Sequence, residues 1–585
     1  MKKILVFVLI TCMVVSFAGC AQQQEPMPAT VQETPDEPTG IMDGTFGGTG
    51  HGFGGELKVA VTVADGIITT IDVTEHSETA GVSDFIIMNQ PQRIIDAQSY
   101  EVDLITGATF TANAIKQAVK GALEDAGATA GMFDTPKKIE MKDETIYSDV
   151  VVIGSGMAGM SAAIEASKSG ASVIVLEKLG RIGGSAITCG GGVYATGSPL
   201  NKDFDNDPQN MVDYYLQRSN DLGDKELLTY LAEQSGSSIE WLMENGTEFK
   251  PDVVPGGLSA AKRVHWTTDA GVGLIMPAYQ KALDLGVEFL LETPAKELLT
   301  DESGAVIGVR AESARGNVTV NTKAVVIATG GYDASPEMMA AHSPSAVDAI
   351  CLSSCGNIGD GINMAQAIGA DTLFRDGVIG VRGLRANAGA SDGVNALAWI
   401  DTLAVTDEGD RFVNEQGDYP VVTGKMIGTG RELFYWIYDS SMVDLAEMAV
   451  QQRLALKADT IEELAKAAGI EPVKLHQTFD RYNELGKKGV DEDFGKEGIV
   501  PLSENGPYYA AKVRKTTIGS LGGLVINLNA EVLNTDGNAI PGLYAGGETA
   551  SGQFFDKEYA VSGSLINLSI VYGRLAGTNA AAYAK

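Results

Sequence analysis

The sequence predicts an α/β protein whose main body is built on a parallel sheet, with a smaller α+β unit in front of it. Three observations lead to this prediction. The segment 149–177 follows the pattern of a strand, a glycine-rich turn, a helix and a second strand. The segment 56–73 alternates apolar and polar residues, as half-buried strands do. The chain of 585 residues is too long for one compact domain.

The composition narrows the functional classes. The 70 glycines follow no collagen period, so they indicate tight turns and close approach of the backbone to ligands. The 76 acidic residues outnumber the 43 basic ones and give a net charge of −33, which predicts no nucleic-acid partner. Because there is no Cys-x-x-Cys pair, we expect no metal, iron–sulfur cluster or c-type haem, and we interpret Cys351 and Cys355 as ordinary small residues.

The N-terminus has the features of a targeting segment. Lys2 and Lys3 precede an apolar run over 4–17, which is too short to span a bilayer comfortably, so 1–19 is predicted to be a signal peptide. The Ala-Gly-Cys20 sequence that follows resembles a bacterial lipobox, which implies that Cys20 is lipidated. Residues 20–40 then form a disordered tether. This predicts a lipid-anchored protein on the extracytoplasmic face of the cell membrane; the alternative is an ordinary secretory signal with a stray cysteine.

The segment 149–177 carries a dinucleotide-binding pattern in full context. A continuous apolar strand is followed at once by Gly-Ser-Gly-Met-Ala-Gly, a helix through Lys168, and a second strand that ends in an acid. In this pattern the glycines permit the turn, the approach of a pyrophosphate and the packing of the helix, and the acid binds ribose hydroxyls. The expected contacts are Gly154, Ser155, Gly156, Ala158, Gly159 and Glu177.

Further glycine-rich segments resemble the FAD contacts of the fumarate reductase/succinate dehydrogenase flavoprotein family. They are 183–192, 328–331, 542–548 and 562–566, and the resemblance runs from about Tyr147 to the C-terminus. It implies a Rossmann-like FAD-binding domain over 147–377 and 503–585, with an inserted α+β clamp domain over 378–502 that closes over the substrate. The FAD contacts that it implies are Lys178, Gly184, Ser185, Gly191, Gly192, Ala295, Thr329, Gly330, Gly331, Gly547, Glu548, Ser564 and Leu565. FAD is expected to be non-covalent, because Ser185 and Ala186 stand where the succinate dehydrogenase type has a histidine.

The front unit, 41–131, contains Asp103-Leu-Ile-Thr-Gly-Ala-Thr109. This segment resembles the attachment signature of FMN-binding domains, which implies a small α+β FMN-binding domain and covalent FMN on Thr109, joined by a flavin transferase. The alternative is a loop and helix cap with no flavin. The unit is expected to open with glycine-rich turns over 47–55 and to close with a helix over 112–126. A polar linker follows over 132–146.

The active-site positions depart from those of the fumarate reductases. The frame Arg411-Phe-Val-Asn-Glu415 is intact, but Tyr419 stands where those enzymes have their proton-donating arginine. The other substrate-binding and proton-relay positions fall on different residue types: Asn395, Ala398, Ile518, Gly519, Ala560 and the neighbourhood of Val381. A dicarboxylate would lose bidentate contacts and its proton donor, so fumarate is not the expected substrate.

The replacements suggest another chemistry. Tyr559-x-x-x-Gly563 resembles the motif of ketosteroid 1-dehydrogenases, in which a tyrosine hydroxyl and a glycine N–H polarise a ketone oxygen. Tyr419 is then a candidate for the proton donor to carbon, although either tyrosine can also be a packed aromatic residue. Arg382 and Arg385 are candidates for binding a single carboxylate. His265 is a candidate for lining the cleft, with a structural histidine as the alternative.

These observations predict an extracytoplasmic flavoprotein reductase. Electrons from a membrane or extracellular donor are expected to pass to FMN, then to FAD, and then to a small-molecule acceptor, an enoate or enone. Sulfoxide reduction and ketosteroid-type dehydrogenation remain alternatives on the same flavins. A protein of another class, an electron-transfer lipoprotein that uses FAD only as a relay, is a further alternative.

Overall fold

The computed structural model describes residues 40–78, 81, 83–105, 109–137, 141–201, 206–256, 259–384 and 393–585. The predicted signal peptide with Cys20, nearly all of the predicted tether, and Arg385 lie outside the described residues.

The front unit is a small antiparallel sheet covered by two helices. In β2 every second residue from Leu57 to Val63 is buried, which is the alternation that the sequence predicts. The strands pair in the order β1-β2-β3. The elements are β1 (Gly44–His51), β2 (Glu56–Ala64), β3 (Ile67–Glu75), α1 (Asp84–Ala97) and α2 (Thr109–Asp125).

The glycine-rich segment of the front unit is mainly a strand, so the prediction of turns over 47–55 was wrong for its first half. β1 pairs with β2 along its whole length. A Cβ at Gly48 would lie 1.9 Å from Ala118 O, and one at Gly50 would lie 2.0 Å from Ala114 O. These glycines therefore let α2 pack directly on the strand backbone.

The first part of the main body alternates strands and helices. Its strands are β4 (Glu144–Tyr147), β5 (Val150–Ile153), β6 (Val173–Leu176), β7 (Gly192–Tyr194), β8 (Phe249–Gly256), β9 (Ser259–Thr267), β10 (Glu288–Leu290), β11 (Ala295–Thr300), β12 (Val306–Ser313), β13 (Gly316–Asn321), β14 (Ala324–Ile327) and β15 (Ile350–Cys351). Its helices are α3 (Met157–Lys168), α4 (Pro208–Arg218), α5 (Lys225–Glu244), α6 (Ala270–Asp284), α7 (Pro336–His342) and α8 (Asp360–Ala367), with short 3-10 helices at Ala186–Thr188 and Pro344–Ala346.

The remaining elements build the clamp and complete the main body. The strands are β16 (Thr372–Gly383), β17 (Leu403–Thr406), β18 (Leu433–Tyr438), β19 (Ala455–Ala458), β20 (Tyr508–Leu524), β21 (Glu531–Leu533) and β22 (Ala539–Ala545). The helices are α9 (Tyr419–Gly428), α10 (Val443–Gln451), α11 (Ile461–Ala468), α12 (Pro472–Lys488) and α13 (Ser564–Ala584), with 3-10 helices at Gly393–Trp399, Ser440–Met442 and Gly547–Thr549. Within the described ranges, none of the helices is both long and apolar enough to cross a lipid bilayer.

A six-stranded sheet forms the centre of the main body, in the order β10-β6-β5-β14-β22-β21. All neighbouring pairs are parallel except β21 with β22. β5, β6 and β14 are buried at every residue, as strands covered on both faces must be. The carboxyl ends of β5, β6, β14 and β22 meet at one edge, where ligands bind in open parallel sheets.

The predicted linker contains part of a second sheet. β4 pairs in parallel with β13 and completes a four-stranded sheet in the order β11-β12-β13-β4. The polar segment over 132–146 therefore contributes three of its residues, 144–146, to the main body instead of ending before it.

The clamp is a separate layer whose sheet is organised by β20. β18 and β19 pair with the first half of this strand, and β16 pairs with its second half. The clamp sheet therefore continues past residue 502, the end that the sequence suggested. Residues 459–488 contain the two helices α11 and α12, because Gly469 ends α11 in the left-handed conformation.

The front unit contacts the main body beside β6. Arg93 forms an ion pair with Glu292, and the Phe85 and Tyr279 rings meet edge to face at 5.3 Å. Ile105 packs against Gly180, where a Cβ would lie 1.9 Å from Ile105 Cγ2.

Candidate active site

The turn between β5 and α3 leaves room for a phosphate group. Gly154 has a φ of +100°, and a Cβ there would lie 2.4 Å from Ala328 O. A Cβ at Gly159 would lie 1.9 Å from Gly154 O, so α3 packs directly on the turn. At Gly156, by contrast, no described residue other than its two chain neighbours has an atom within 4 Å of the Cβ position. The N-terminus of α3, which starts after Gly156, therefore opens onto a space that a diphosphate fits.

Glu177 is fixed at the end of β6 by three hydrogen bonds. Ser155 donates to Oε2 from its backbone N at 3.0 Å and from Oγ at 2.5 Å, and Leu179 N donates to Oε1 at 2.8 Å. A buried acceptor at this position matches the acid that binds ribose hydroxyls in dinucleotide folds. The neighbouring Lys178 forms an ion pair with Asp360, the first residue of α8.

The second glycine-rich segment lies against the first. The Cβ position of Gly184 is 3.6 Å from Gly156 Cα, and Ser185 Oγ accepts a hydrogen bond of 2.9 Å from Ser354 N. Gly191 leads into β7, where Gly192 pairs opposite Trp266. No histidine stands at the positions where the succinate dehydrogenase type attaches its flavin.

A third loop follows β14 and meets the segment after β22. A Cβ at Gly331 would lie 2.1 Å from Ser520 Oγ and 2.2 Å from Glu548 Oε1. Gly547 approaches Ala158 in the same way, with 2.8 Å from its Cβ position to the alanine Cβ. Ala295 lies two residues after Thr293, whose N–H donates to Glu177 O at 2.9 Å. The dispersed residues that the sequence predicts to bind FAD therefore converge on one edge of the sheet.

Two buried carboxylates, Asp333 and Glu548, lie beside this loop. Asn357 Nδ2 donates to both, at 3.3 Å to Asp333 Oδ1 and 3.2 Å to Glu548 Oε2. Ser520 N also donates to Glu548 Oε1 at 2.8 Å. Burial raises the pKa of both acids, and the nearby Asp333 charge raises the pKa of Glu548 further. The pair is therefore disposed to keep a proton near neutral pH.

Several buried polar atoms around this edge fit a bound FAD. Thr329 Oγ1 and Ser564 Oγ have no hydrogen-bond partner within the described part of the chain. Buried hydroxyl groups are normally paired, so these two indicate a ligand with polar atoms. Together with the open space at Gly156 they match a dinucleotide that runs from the α3 turn towards the start of α13.

Tyr559 precedes α13 in the chain, and its hydroxyl is fixed by the first turn of that helix. Its Oη accepts a hydrogen bond of 2.7 Å from Leu565 N, which leaves its own proton for another acceptor. Burial raises the pKa of Tyr559 well above its usual range, so the hydroxyl stays protonated. Gly563, the residue before the helix, makes no hydrogen bond through its N–H to a described residue. Both groups predicted to polarise a carbonyl therefore retain a free donor.

Tyr419 lies next to Tyr559. The two rings are stacked, with centroids 6.4 Å apart and planes 29° from parallel. Tyr419 begins α9 and follows Asp418, whose carboxylate accepts the Tyr419 N–H at 2.9 Å. Burial raises the pKa of Tyr419 as well, with the Ser562 hydroxyl as a polar neighbour.

The frame that precedes Tyr419 is a buried charge network. Arg411 donates to both oxygens of Glu415 at 2.9 Å and to both oxygens of Asp491 at 3.1 and 2.8 Å. Lys496 Nζ lies 3.4 Å from Glu415 Oε2. The network fixes the chain immediately before α9 and so determines where Tyr419 enters the cleft.

Arg382 is at the end of β16, between two tryptophan rings. Its Cζ is 5.2 Å from the Trp399 ring centroid and 5.8 Å from that of Trp436. Trp399 in turn meets Tyr419 edge to face at 5.9 Å. Arg382 is therefore linked to the tyrosine pair through one aromatic side chain.

His265 is a structural residue, so the proposal that it lines the cleft is not supported. It is only 1% exposed. Nδ1 lies 2.9 Å from Arg263 O and Nε2 lies 2.7 Å from Ser198 Oγ, so both ring nitrogens are occupied. Burial lowers its pKa, so the ring is neutral, which suits a hydrogen-bonded core residue.

The positions that correspond to the family's proton relay are also structural. Asn395 is fully buried, and its Oδ1 accepts a hydrogen bond of 2.7 Å from Leu384 N. Ala398 is buried in the clamp core. Neither is placed to move a proton to the cleft, which agrees with the loss of the relay that the sequence indicates.

Thr109 is the first residue of α2, and its side chain is exposed. The three residues before it lie outside the described part of the chain. Phe53 and Phe110 are also exposed, with ring centroids 6.4 Å apart. A phosphate on Thr109 would sit at a helix N-terminus, which favours negative charge.

Comparison with known proteins identifies the family. The FAD binding domain family matches residues 149–561, and the FMN-binding domain family matches residues 52–124. The chain is 30% identical to the urocanate reductase of Eggerthella lenta over 97% of this chain and 96% of that protein. The chain belongs to the FAD-dependent fumarate and urocanate reductase family. It is thus a flavoprotein oxidoreductase with domains for both FAD and FMN.

Solved structures agree with this assignment. The open form of a flavocytochrome c3 fumarate reductase superposes with a TM-score of 0.64 at 27% identity, over 75% of this chain and 79% of that one. A 3-ketosteroid dehydrogenase from Rhodococcus jostii also has a TM-score of 0.64, at 28% identity, over 74% of this chain and 97% of that one. The predicted α/β fold class is confirmed.

Four residues of the site were missed by sequence reasoning. Asp333 and Asn357 gave no motif of their own, because the chain brings them to Glu548 from about 200 residues away. Trp399 looked like any core aromatic residue. Asp360 had a usable signal, since it lies between two glycines at the start of a helix.

Proposed function

We propose that this chain is a lipid-anchored reductase of the extracytoplasmic face that reduces a carbon–carbon double bond conjugated to a carbonyl group, in an enone or enoate. One observation carries the proposed reaction. Tyr559 accepts the Leu565 N–H at 2.7 Å and keeps its own proton available, directly beside Tyr419. A phenol whose oxygen already accepts a backbone N–H is a stronger donor to a developing oxyanion.

The roles of the residues follow from this arrangement. When bound, FAD supplies the hydride that adds to one carbon of the double bond. Tyr559 Oη and Gly563 N–H donate to the carbonyl oxygen, where negative charge develops. Tyr419 transfers its proton to the other carbon, so that one hydride and one proton together saturate the bond. The raised pKa of both tyrosines keeps them protonated for these roles.

Fumarate does not suit this cleft. Ile518 and Gly519 stand where the fumarate reductases have a histidine pair, and Tyr419 stands where they have the proton-donating arginine. A second carboxylate on the reacting bond would therefore meet apolar groups and a tyrosine instead of bidentate donors. A ketone oxygen, which needs two neutral donors, matches Tyr559 and Gly563 better.

Electrons are proposed to enter through FMN on Thr109. Thr109, the proposed attachment residue, follows Ile105 by four residues, and four residues span at most about 14 Å. Ile105 packs on Gly180, three residues after Glu177, so Thr109 is close to the FAD-binding edge. A membrane or extracellular donor would reduce this flavin first.

The deciding experiment is an anaerobic screen of acceptors. The protein is produced with a flavin transferase and reduced with a viologen dye, and reoxidation of the dye is followed with enones, aryl acrylates, urocanate, fumarate and sulfoxides. The expected result is turnover with conjugated carbonyl compounds and none with fumarate. Rapid fumarate turnover would overturn the proposal. Turnover of sulfoxides alone would also overturn it and would support sulfoxide reduction instead.

Attachment of FMN is tested by variants of two exposed threonines of the front unit, one inside the signature and one outside it. Thr109→Val is expected to abolish the fluorescent flavin band that survives denaturation, whereas Thr129→Val keeps it. The mass of the intact protein should differ between the two variants by one FMN, whatever the activity. If Thr109→Val retains the covalent flavin, Thr109 is not the acceptor.

The anchor is tested by Cys20→Ser. The unchanged protein is expected to incorporate labelled palmitate and to sediment with membranes, and the variant to do neither. Equal membrane association of both proteins would contradict lipidation at Cys20.

A second candidate is the reverse reaction, dehydrogenation of a saturated ketone. It is favoured by the Tyr559 and Gly563 pair, which would stabilise an enolate formed by removal of a proton. Reduction of an artificial electron acceptor by ketosteroids, faster than the forward reaction, would support it over the reductase.

A further inference from the structure

Arg382 is a buried cation with no counterion among the residues that the structure describes. Its side chain is 4% exposed and lies over the Trp399 and Trp436 rings at 5.2 and 5.8 Å. No hydrogen bond or ion pair joins it to any residue in the described ranges, and its Nε and Nη1 atoms are buried without a partner. A buried guanidinium is normally paired with an anion, since an unpaired one is costly.

The groups around Arg382 add further donors. Trp399 Nε1 and Trp436 Nε1 are also buried with no partner among the described residues. Three neighbouring side chains thus present buried N–H groups that meet no acceptor among the described residues. Such a cluster of donors suits an anionic ligand with several acceptor oxygens.

The acidic residues near Arg382 do not fill this role. Glu415 is held by Arg411 and Lys496, and Asp418 caps α9 through the Tyr419 N–H. Asp401 is exposed to solvent. All three act on Arg382 only through their charge, and burial still lowers its pKa to about 10.

The cluster is connected to the reacting groups by a row of aromatic rings. Tyr559 stacks with Tyr419 at 6.4 Å, Tyr419 meets Trp399 at 5.9 Å, and Trp399 covers Arg382. Two rings, those of Trp399 and Tyr419, therefore lie between Arg382 and Tyr559 at the carbonyl-binding end. A ligand that occupies both ends needs a flat or apolar body between them.

We infer that Arg382, Trp399 and Trp436 bind the carboxylate of the substrate, at a distance from the reacting carbonyl. The inference deepens the proposed function, on which it rests for the position of that carbonyl. The substrate class is then a conjugated ketone with a remote carboxylate. The carbonyl meets Tyr559, and the body of the molecule lies along Tyr419 and Trp399.

The inference is tested by equilibrium binding, which needs no turnover. Oxidised holoenzyme is titrated with benzoyl carboxylates of increasing chain length and with the matching neutral amides, by calorimetry. The carboxylates are expected to bind about 10- to 100-fold more tightly than the amides, as charge-assisted hydrogen bonds would give. Equal affinity of acid and amide in the unchanged protein, at every chain length, would overturn the inference without any variant.

Variants locate the effect. Arg382→Met is expected to remove the preference for the acid, and Arg382→Lys to keep part of it. Arg514→Met, which removes an exposed arginine from the same sheet, is the control and should keep all of it. If Arg382→Met does not fold, the lysine variant decides. If Arg382→Lys prefers the acid over the amide as strongly as the unchanged protein does, the site is wrong. If Arg514→Met loses this preference as fully as Arg382→Met does, the site is also wrong.

Failure of the proposed reaction gives a different pattern. If no conjugated carbonyl compound is reduced in the acceptor screen but the acid preference depends on Arg382, the anion site stands and the reaction is wrong. If enones are reduced but acid and amide bind alike, the reaction stands and the anion site is wrong.

Discussion

Replacing Tyr559 by phenylalanine removes one oxygen atom from the centre of the cleft. That oxygen accepts the Leu565 N–H and, in the proposed reaction, donates to the substrate carbonyl. The first loss leaves a backbone donor unpaired and should cost about 1–3 kcal/mol of stability. The second removes one oxyanion donor, which should lower kcat by about 100- to 1,000-fold, or roughly 3–4 kcal/mol in the barrier. The rest of the ring still packs, so KM should change little.

The assay compares Tyr559→Phe with Tyr572→Phe. Tyr572 lies in α13, the helix whose Leu565 N–H Tyr559 accepts; it is fully buried and donates one hydrogen bond of 2.9 Å to Leu227 O. Its phenylalanine variant should lose stability of similar size and keep kcat within about two-fold. Each protein is reduced anaerobically, and single-turnover oxidation by the best enone of the screen is followed by flavin absorbance, so that loss of flavin and loss of chemistry are separated.

Two results would refute this reasoning. A Tyr559→Phe enzyme with nearly unchanged kcat would show that the hydroxyl is not a donor in the transition state. An equal fall in both variants would show that the loss comes from disturbance of α13 instead of chemistry. The pH profile adds a check, because a tyrosine with a strongly raised pKa predicts no loss of activity from its ionisation up to about pH 10.

Three further predictions concern residues around the tyrosine pair. Tyr419→Phe should lower kcat by about 100- to 10,000-fold, the range for loss of a general acid, without changing FAD content, as measured by stopped-flow reoxidation and flavin extraction. Arg411→Met removes the guanidinium that two buried carboxylates share and leaves Glu415 with Lys496 as its nearest cation, so thermal and urea unfolding should show a loss of about 3–5 kcal/mol. Glu548 keeps its proton in the folded protein up to about pH 8, whereas the unfolded chain loses it above about pH 4. Stability should therefore fall as pH rises through this window, and Glu548→Gln should flatten that slope in urea unfolding of the holoenzyme.

The parts of the fold that the sequence predicted best are those in which local chemistry fixes the backbone. The turn after β5 needs a residue with positive φ at Gly154 and a helix that packs without a side chain at Gly159. Few structures meet both needs, so the strand, turn and helix could be placed nearly to the residue. The glycines of β1 allow α2 to pack closely on the strand instead of forming turns. The prediction of turns from glycine content was therefore wrong there.

The site was predictable only where one motif carried the chemistry. Tyr559 and Gly563 share one short segment, so their relation was visible in the sequence. Asp333, Asn357 and Glu548 come from three loops, and only the parallel sheet brings those loops together. His265 shows the converse error. A histidine before a glycine-rich stretch looks functional, but the decisive fact, that both of its nitrogens are occupied, depends on neighbours distant in the chain.

In the proposed reaction, the clamp keeps the position of the acid, whereas the residue at that position differs from the arginine of the fumarate reductases. Arg411 and Glu415 of the frame form a network with Asp491 that fixes the chain just before α9, and the Tyr419 side chain is not part of these bonds. The residue at the start of α9 is then free to differ. An arginine there would bring a permanent cation into the cleft and favour a carboxylate on the reacting bond. Tyr419 brings a neutral donor and, with Trp399 beside it, an aromatic wall. Arg382, the proposed carboxylate-binding residue, lies beyond that wall, so the proposal separates charge recognition from bond reduction in space.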